Sequence, residues 1–153
     1  MRVNDILILS ILIFVIVIFI NWSWVGEEVA HQTIAREASS EPLEAQIMVA
    51  RVIRVRAEER YLTFKEVCLQ PRQFSCWNKG VEQKPRTVME LAMAEEAWIL
   101  SENRNDKINL YHDISVIPYW TEHPNVKFIK QIGKLKFYYE EYGDAIIGNS
   151  ASL

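Results

Sequence analysis

The residues best suited to acid–base chemistry are two glutamates four positions apart, Glu37 and Glu41, in the run Ile34-Ala-Arg-Glu-Ala-Ser-Ser-Glu-Pro42. Glu37 is flanked by Ile34, Ala35 and Ala38, an apolar setting of the kind that favours the protonated carboxyl a general acid needs. On one continuous helix the two glutamates would share a face and repel each other. The Ser-Ser-Glu-Pro break argues against that continuity, so Glu41 is expected to cap the helix that follows. From spacing alone, Glu37 is by default a solvated surface acid. Other chemistries have less to stand on. The chain has no G-x-S-x-G elbow, no Gly-rich phosphate loop and no H-E-x-x-H pair. His31, His112 and His123 are far apart in sequence, and no metal is expected. His112 beside Asp113 is either an oriented base or a loop pair facing solvent. Cys68 and Cys76, lacking a second pair, do not read as zinc ligands. They are a disulfide candidate if the compartment is oxidising, and two buried free thiols otherwise.

Composition limits what these residues can serve. The 153 residues carry 17 Lys+Arg against 20 Asp+Glu, a net charge of −3, which argues against a nucleic-acid partner. Half the residues are hydrophobic (50%) and 24% are charged, which excludes disorder as the main state. The apolar residues are unevenly spread. From Ile6 to Ile20 every residue but Ser10 is Ile, Leu, Val or Phe, and Trp22 and Trp24 follow. The stretch Ile6–Val25 would span about 30 Å as a helix. It is long for the apolar part of a signal peptide, and no A-x-A-like site follows. The expectation is an uncleaved signal anchor over 1–26, a domain over 27–142 and a flexible tail over 143–153. Arg2 before the stretch and Glu27 and Glu28 after it place the domain on the periplasmic side of the cytoplasmic (inner) membrane, as a single-pass protein.

Within the domain, Gly26–Thr33 reads as a short link and His31–Ala38 as a short helix. Pro42 opens a core helix over about Leu43–Glu59, with Leu43, Ile47, Ala50 and Ala57 on one side and Val49, Val52 and Ile53 widening it. Thr63-Phe-Lys-Glu66 and Thr87-Val-Met-Glu90 are capping boxes, opening a short helix to about Gln70 and a longer one from Val88 to about Glu102. Arg72–Arg86 is a loop and Asn103–Asn109 a polar turn. Leu110–Tyr139 turns β-branched and aromatic, with a hairpin around Gly133. The fold class is α+β, mainly helical with a small β-like C-terminal portion and one preceding transmembrane helix.

Five blocks, in order, resemble the SleB-type cell-wall hydrolase family, the spore cortex-lytic enzyme and its relatives. The Glu37…Pro42 run, followed by Gln46-Ile-Met-Val-Ala-Arg-Val-Ile53, is similar to E-A-x-G-E-P and G-Q-x-A-V-A-x-V-I-x-N-R. Val67-Cys-Leu-Gln-Pro-Arg-Gln-Phe-Ser75 is similar to V-x-x-x-P-x-Q-F-S. Leu110-Tyr-His112, Val116-Ile-Pro-Tyr-Trp120, and Ile132-Gly133 with Phe137-Tyr138 resemble the H-Y-H, V-x-P-x-W and I-G-x-H-x-F-Y blocks. The chain departs from the pattern at Ser40, Val55, Leu110 and Leu135, where Gly, Asn and two histidines are usual.

The resemblance implies a lysozyme-like domain that cleaves the β-1,4 bond between N-acetylmuramic acid and N-acetylglucosamine in peptidoglycan, as a lytic transglycosylase or muramidase. A phage endolysin serving host lysis is among the roles it implies. Glu37 would be the catalytic acid and base. Glu41, Gln73, Phe74, Ser75, Tyr111, His112 and Tyr138 would contact the glycan strand, and no cofactor is needed. If the domain is exported, a Cys68–Cys76 bridge would hold the Gln73-Phe74-Ser75 turn. The alternative is a catalytically weak peptidoglycan-binding or wall-assembly module on the same fold, because several family residues are replaced.

Overall fold

The computed structural model describes Ser10 and residues 26–141. The first described helix, α1, runs over 26–38 and includes the residues expected to form a link. Burial explains the difference. Ala30, Thr33, Ile34, Ala35 and Ala38 are all fully buried, a spacing that gives one closed helical face. Thr33 is tolerated on that face because its hydroxyl donates to Val29 O at 2.7 Å. Glu28 lies on the exposed side. At the helix end, Ser39-Ser40 forms a turn, with the Glu41 N–H donating to Ala38 O at 3.0 Å.

The central helix, α2 (Leu43–Arg60), buries residues on every side, from Ala45 to Ala50 and on to Ala57, and packs against α3 (Phe64–Leu69) and α4 (Val88–Ser101). It starts at Leu43, as expected, but without the expected cap from Glu41. Pro42 is the N-cap, no side chain caps it, and Glu41 points elsewhere. Its end is marked by Tyr61 in the left-handed region (φ 54°), whose N–H returns to Ala57 O. Both capping boxes form, Thr63 with Glu66 and Thr87 with Glu90. Each box satisfies two helix N–H groups that otherwise lack partners. Thr63→Ala and Thr87→Ala are each expected to lower stability by about 1 kcal/mol, read as a lower urea midpoint at unchanged slope.

Three antiparallel strands, β1 (Leu110–Asp113), β2 (Val126–Ile132) and β3 (Leu135–Glu140), form one sheet in the order β1-β3-β2. The β2–β3 hairpin turns at Gly133, whose φ of +56° suits glycine. Side chains alternate across the sheet. Tyr111, Leu135 and Phe137 point into the helical core, while His112, Phe128 and Tyr138 share the other face with Trp120 of the 3₁₀ turn Tyr119–Glu122.

The described architecture is therefore a mixed helical domain with one small sheet. The expected transmembrane helix, and the single-pass inner-membrane location built on it, are corrected. Among the described residues no helix is long and apolar enough to cross a membrane. The stretch Ile6–Val25 lies, Ser10 apart, outside those residues, as does the expected tail over 143–153. The helix nearest that stretch, α1, carries Glu27, Glu28 and Arg36 and spends its apolar face on the domain core.

Candidate active site

Glu37 lies in the last turn of α1, half-buried, and its carboxylate collects donors from two other elements. The Ser75 hydroxyl (2.9 Å) and the Cys76 N–H (2.7 Å) both donate to Oε1. The Tyr111 hydroxyl, from β1, donates to Oε2 at 2.8 Å. Ser75 and Cys76 belong to the 3₁₀ turn Ser75–Trp77, and this turn is tied to α1 at two further points. Trp77 Nε1 donates to Thr33 Oγ at 2.8 Å, and the Arg36 guanidinium stacks over the Trp77 ring at 5.4 Å. Burial, then the charge and hydrogen bond of Glu37, raise the Tyr111 pKa well above the ordinary phenol value, so Tyr111 stays a donor.

Glu41 has a different task. Its Oε2 accepts the Lys134 N–H at 2.8 Å, across to the β2–β3 turn. A Cβ at position 133 would overlap that same oxygen and crowd Pro42. The expected helix cap is thus a strut between the start of α2 and the hairpin. Gly133→Ala meets both a left-handed backbone and this overlap, and should cost on the order of 1–3 kcal/mol in a denaturant titration.

Comparison with known proteins adds to this geometry. The family model described as "Cell Wall Hydrolase" matches residues 40–138, more than half of the chain. The chain belongs to the cell wall hydrolase family. Membership makes peptidoglycan hydrolysis its supported class of activity. The domain also resembles the crystal structure of the catalytic domain of the Bacillus cereus SleB protein, with a TM-score of 0.59 and 21% identity over 76% of this chain and 91% of that one. At that identity the likeness concerns the fold. No curated protein matches the chain at the same stringency.

In this cell wall hydrolase the sequence-predicted residues separate into groups. Glu37, Ser75 and Tyr111 come together. Gln73 lies beside them in sequence, half-buried, with its Oε1 accepting from Arg60 Nη1 at 3.4 Å. Phe74 does not line a groove. Only 1% exposed, its ring packs against Tyr111 and is closed to a sugar. His112 and Tyr138 lie on the sheet face away from Glu37, bonded to each other (Nε2 to hydroxyl, 2.9 Å) and stacked at 5.3 Å. With Nδ1 also on Asp113 O at 2.8 Å, His112 is neither an oriented base near Glu37 nor a pair facing solvent. Leu135 fills the core where the family pattern has a polar residue.

Of the two alternatives for the cysteine pair, a bridge or two buried thiols, the structure has the second: Cys68 and Cys76 are both free and buried. Burial pushes the Cys68 thiol up to about 11. Burial, then Glu37, pushes Cys76 higher still, so both remain thiols, and the Cys76 S–H adds a further hydrogen bond to Glu37. Among the described residues no group of three or more His, Cys, Asp and Glu is placed to hold a metal. Sequence reasoning missed the Cys76 main-chain donor, which no side-chain pattern announces. It also missed Arg56, a buried arginine on the apolar side of α2, although an arginine three and four residues after Ile53 and Val52 was a visible signal.

Proposed function

We propose that this cell wall hydrolase is a lytic transglycosylase acting on the MurNAc–GlcNAc β-1,4 bond, with Glu37 as its acid and base. The observation that carries the reading is the convergence of Ser75, Cys76 and Tyr111 on the two oxygens of one half-buried carboxyl group. Oε1 accepts the Ser75 hydroxyl and the Cys76 N–H, and Oε2 accepts the Tyr111 hydroxyl, which can rotate away from a reacting oxygen. In the first half-reaction Glu37 protonates the glycosidic oxygen and the bond to the muramyl C1 breaks, leaving an oxocarbenium-like centre that the 2-acetamido group steadies. In the second, the carboxylate takes the proton of the muramyl C6 hydroxyl as its oxygen bonds to C1, closing a 1,6-anhydro ring and restoring the acid.

Schemes that need a paired acid place it roughly 5–9.5 Å from the first; the reading here is attack by the sugar's own hydroxyl, which needs no such partner. Glu41 lies within the family match and Glu37 three residues before it. Glu41, however, is engaged with the hairpin turn through Lys134, which suits a supporting role. Mass spectrometry of muropeptides released from purified sacculi tests the reading. Anhydromuramyl ends are expected. Reducing muramic ends would mean that water attacks instead, and no release at all would favour a wall-binding module.

A further inference from the structure

Arg56 is a charged side chain in the interior, 4% exposed, in the middle of α2. Its Nε donates to Asn109 O at 2.6 Å, its guanidinium lies over the Phe74 ring at 5.2 Å, and its Nη1 has no partner among the described residues. Burial lowers its pKa to about 10, opposed by the Tyr111 and Glu37 groups, so it remains a cation at neutral pH. A buried charge satisfied mainly by a carbonyl is a poor way to stabilise a core, since an apolar side chain of similar volume avoids the desolvation penalty. Its surroundings suggest another use. Asn109 immediately precedes β1, and two residues later Tyr111 places its hydroxyl on Glu37. Phe74, under the guanidinium, immediately precedes Ser75 and Cys76, the other donors to Glu37.

We propose that Arg56 is a positioning residue of the active site: its bond to Asn109 fixes the start of β1 so that Tyr111 meets Glu37, and its guanidinium over the Phe74 ring steadies the turn that brings Ser75 and Cys76 to the same carboxyl group. The inference rests on the reading of Glu37 above. The other titratable groups facing this region are Arg36 from α1, Arg60 from α2, Cys68 from α3, Cys76 from the 3₁₀ turn and Tyr111 from β1. The thiols and the phenol are neutral. Arg36 sits over Trp77 and Arg60 is bonded to Gln70, so each has its own partner. Arg56 is thus the buried cation of the set.

The test compares wild type, Glu37→Gln, Arg56→Met, Arg56→Gln, Tyr111→Phe and the Arg56→Met/Tyr111→Phe double variant as full-length chains, measuring kcat and KM for muropeptide release from sacculi. Arg56→Met is expected to melt cooperatively, to lose roughly 10- to 100-fold in kcat and to change KM little. Arg56→Gln, which keeps a donor for Asn109 O, should recover most of that loss. Because Arg56 acts through Tyr111, adding Tyr111→Phe to Arg56→Met should cost much less kcat than Tyr111→Phe costs alone. A folded Arg56→Met with wild-type kcat, or a double variant whose losses simply add, overturns the proposal. Should Arg56→Met fail to fold, Arg56→Leu replaces it. If neither folds, the role is structural and the proposal also falls. A wild type no more active than Glu37→Gln marks the failure of the Glu37 reading itself, which takes this inference with it.

Discussion

Glu37→Gln is expected to leave a folded protein that still binds sacculi and has lost at least about 10²- to 10⁴-fold in glycan cleavage. The amide matches the carboxyl in shape. Its oxygen can accept from the Ser75 hydroxyl and the Cys76 N–H as Oε1 does, and its NH₂ can donate to a rotated Tyr111 hydroxyl. The local hydrogen bonds therefore survive, and what is lost is a group able to give up a proton and take one back. Both half-reactions pass through that group, so the loss should sit in kcat. Glu41→Gln is the matching control. It keeps an oxygen for the Lys134 N–H and is expected to stay within about tenfold of wild type. Rates of muropeptide release, set beside thermal melts of both variants, make the comparison. A folded Glu37→Gln with full activity would end the transglycosylase assignment.

Phe74→Ala should have the largest effect on stability. The ring is almost wholly enclosed, tilted against Tyr111 at 6.3 Å and facing the Arg56 guanidinium. Removing it opens a cavity beside a buried charge, at a cost of about 3–5 kcal/mol. That is a large part of the roughly 5–15 kcal/mol that holds a domain together, and corresponds to a fall in Tm on the order of 10–20 °C. A ring in contact with sugar would behave otherwise: Phe74→Ala would then melt like wild type and bind sacculi less tightly. Calorimetry and a sacculus pull-down on one preparation separate the two outcomes.

These two variants mark where the sequence is readable and where it is not. Local rules act within a few residues, so the capping boxes at Thr63 and Thr87, the broad apolar band of α2 and the hairpin at Gly133 could be anticipated from their own neighbourhoods. The first turn of α1, residues 26–30, could not, since Gly26, Glu27 and Glu28 read as a link until a core is present to bury Ala30 and Thr33. Glu41 was read as a cap because a cap is a local partner. Its actual partner, the Lys134 N–H, is 93 residues away. The strand face of His112 and Tyr138 depends on register, which a four-residue strand such as β1 fixes only through its pairing with β3. Phe74 and Ser75 are neighbours with opposite fates, one enclosed and the other exposed beside Glu37, and a motif match treats them alike.

The strut between Glu41 and the hairpin ties two positions together in evolution as well as in space. At position 133 a methyl group is excluded partly by backbone twist and partly by an oxygen that another residue supplies. Shortening residue 41 removes the second obstacle and leaves the first. Alanine at 133 should therefore be less damaging in a Glu41→Ala background than in the native one, and the two changes should be non-additive. A lineage that lost the acid at 41 would be freed from part of the constraint on 133. Once a side chain had settled there, return of a glutamate at 41 would be obstructed, so that the order in which the two substitutions arise decides which of them can be reversed.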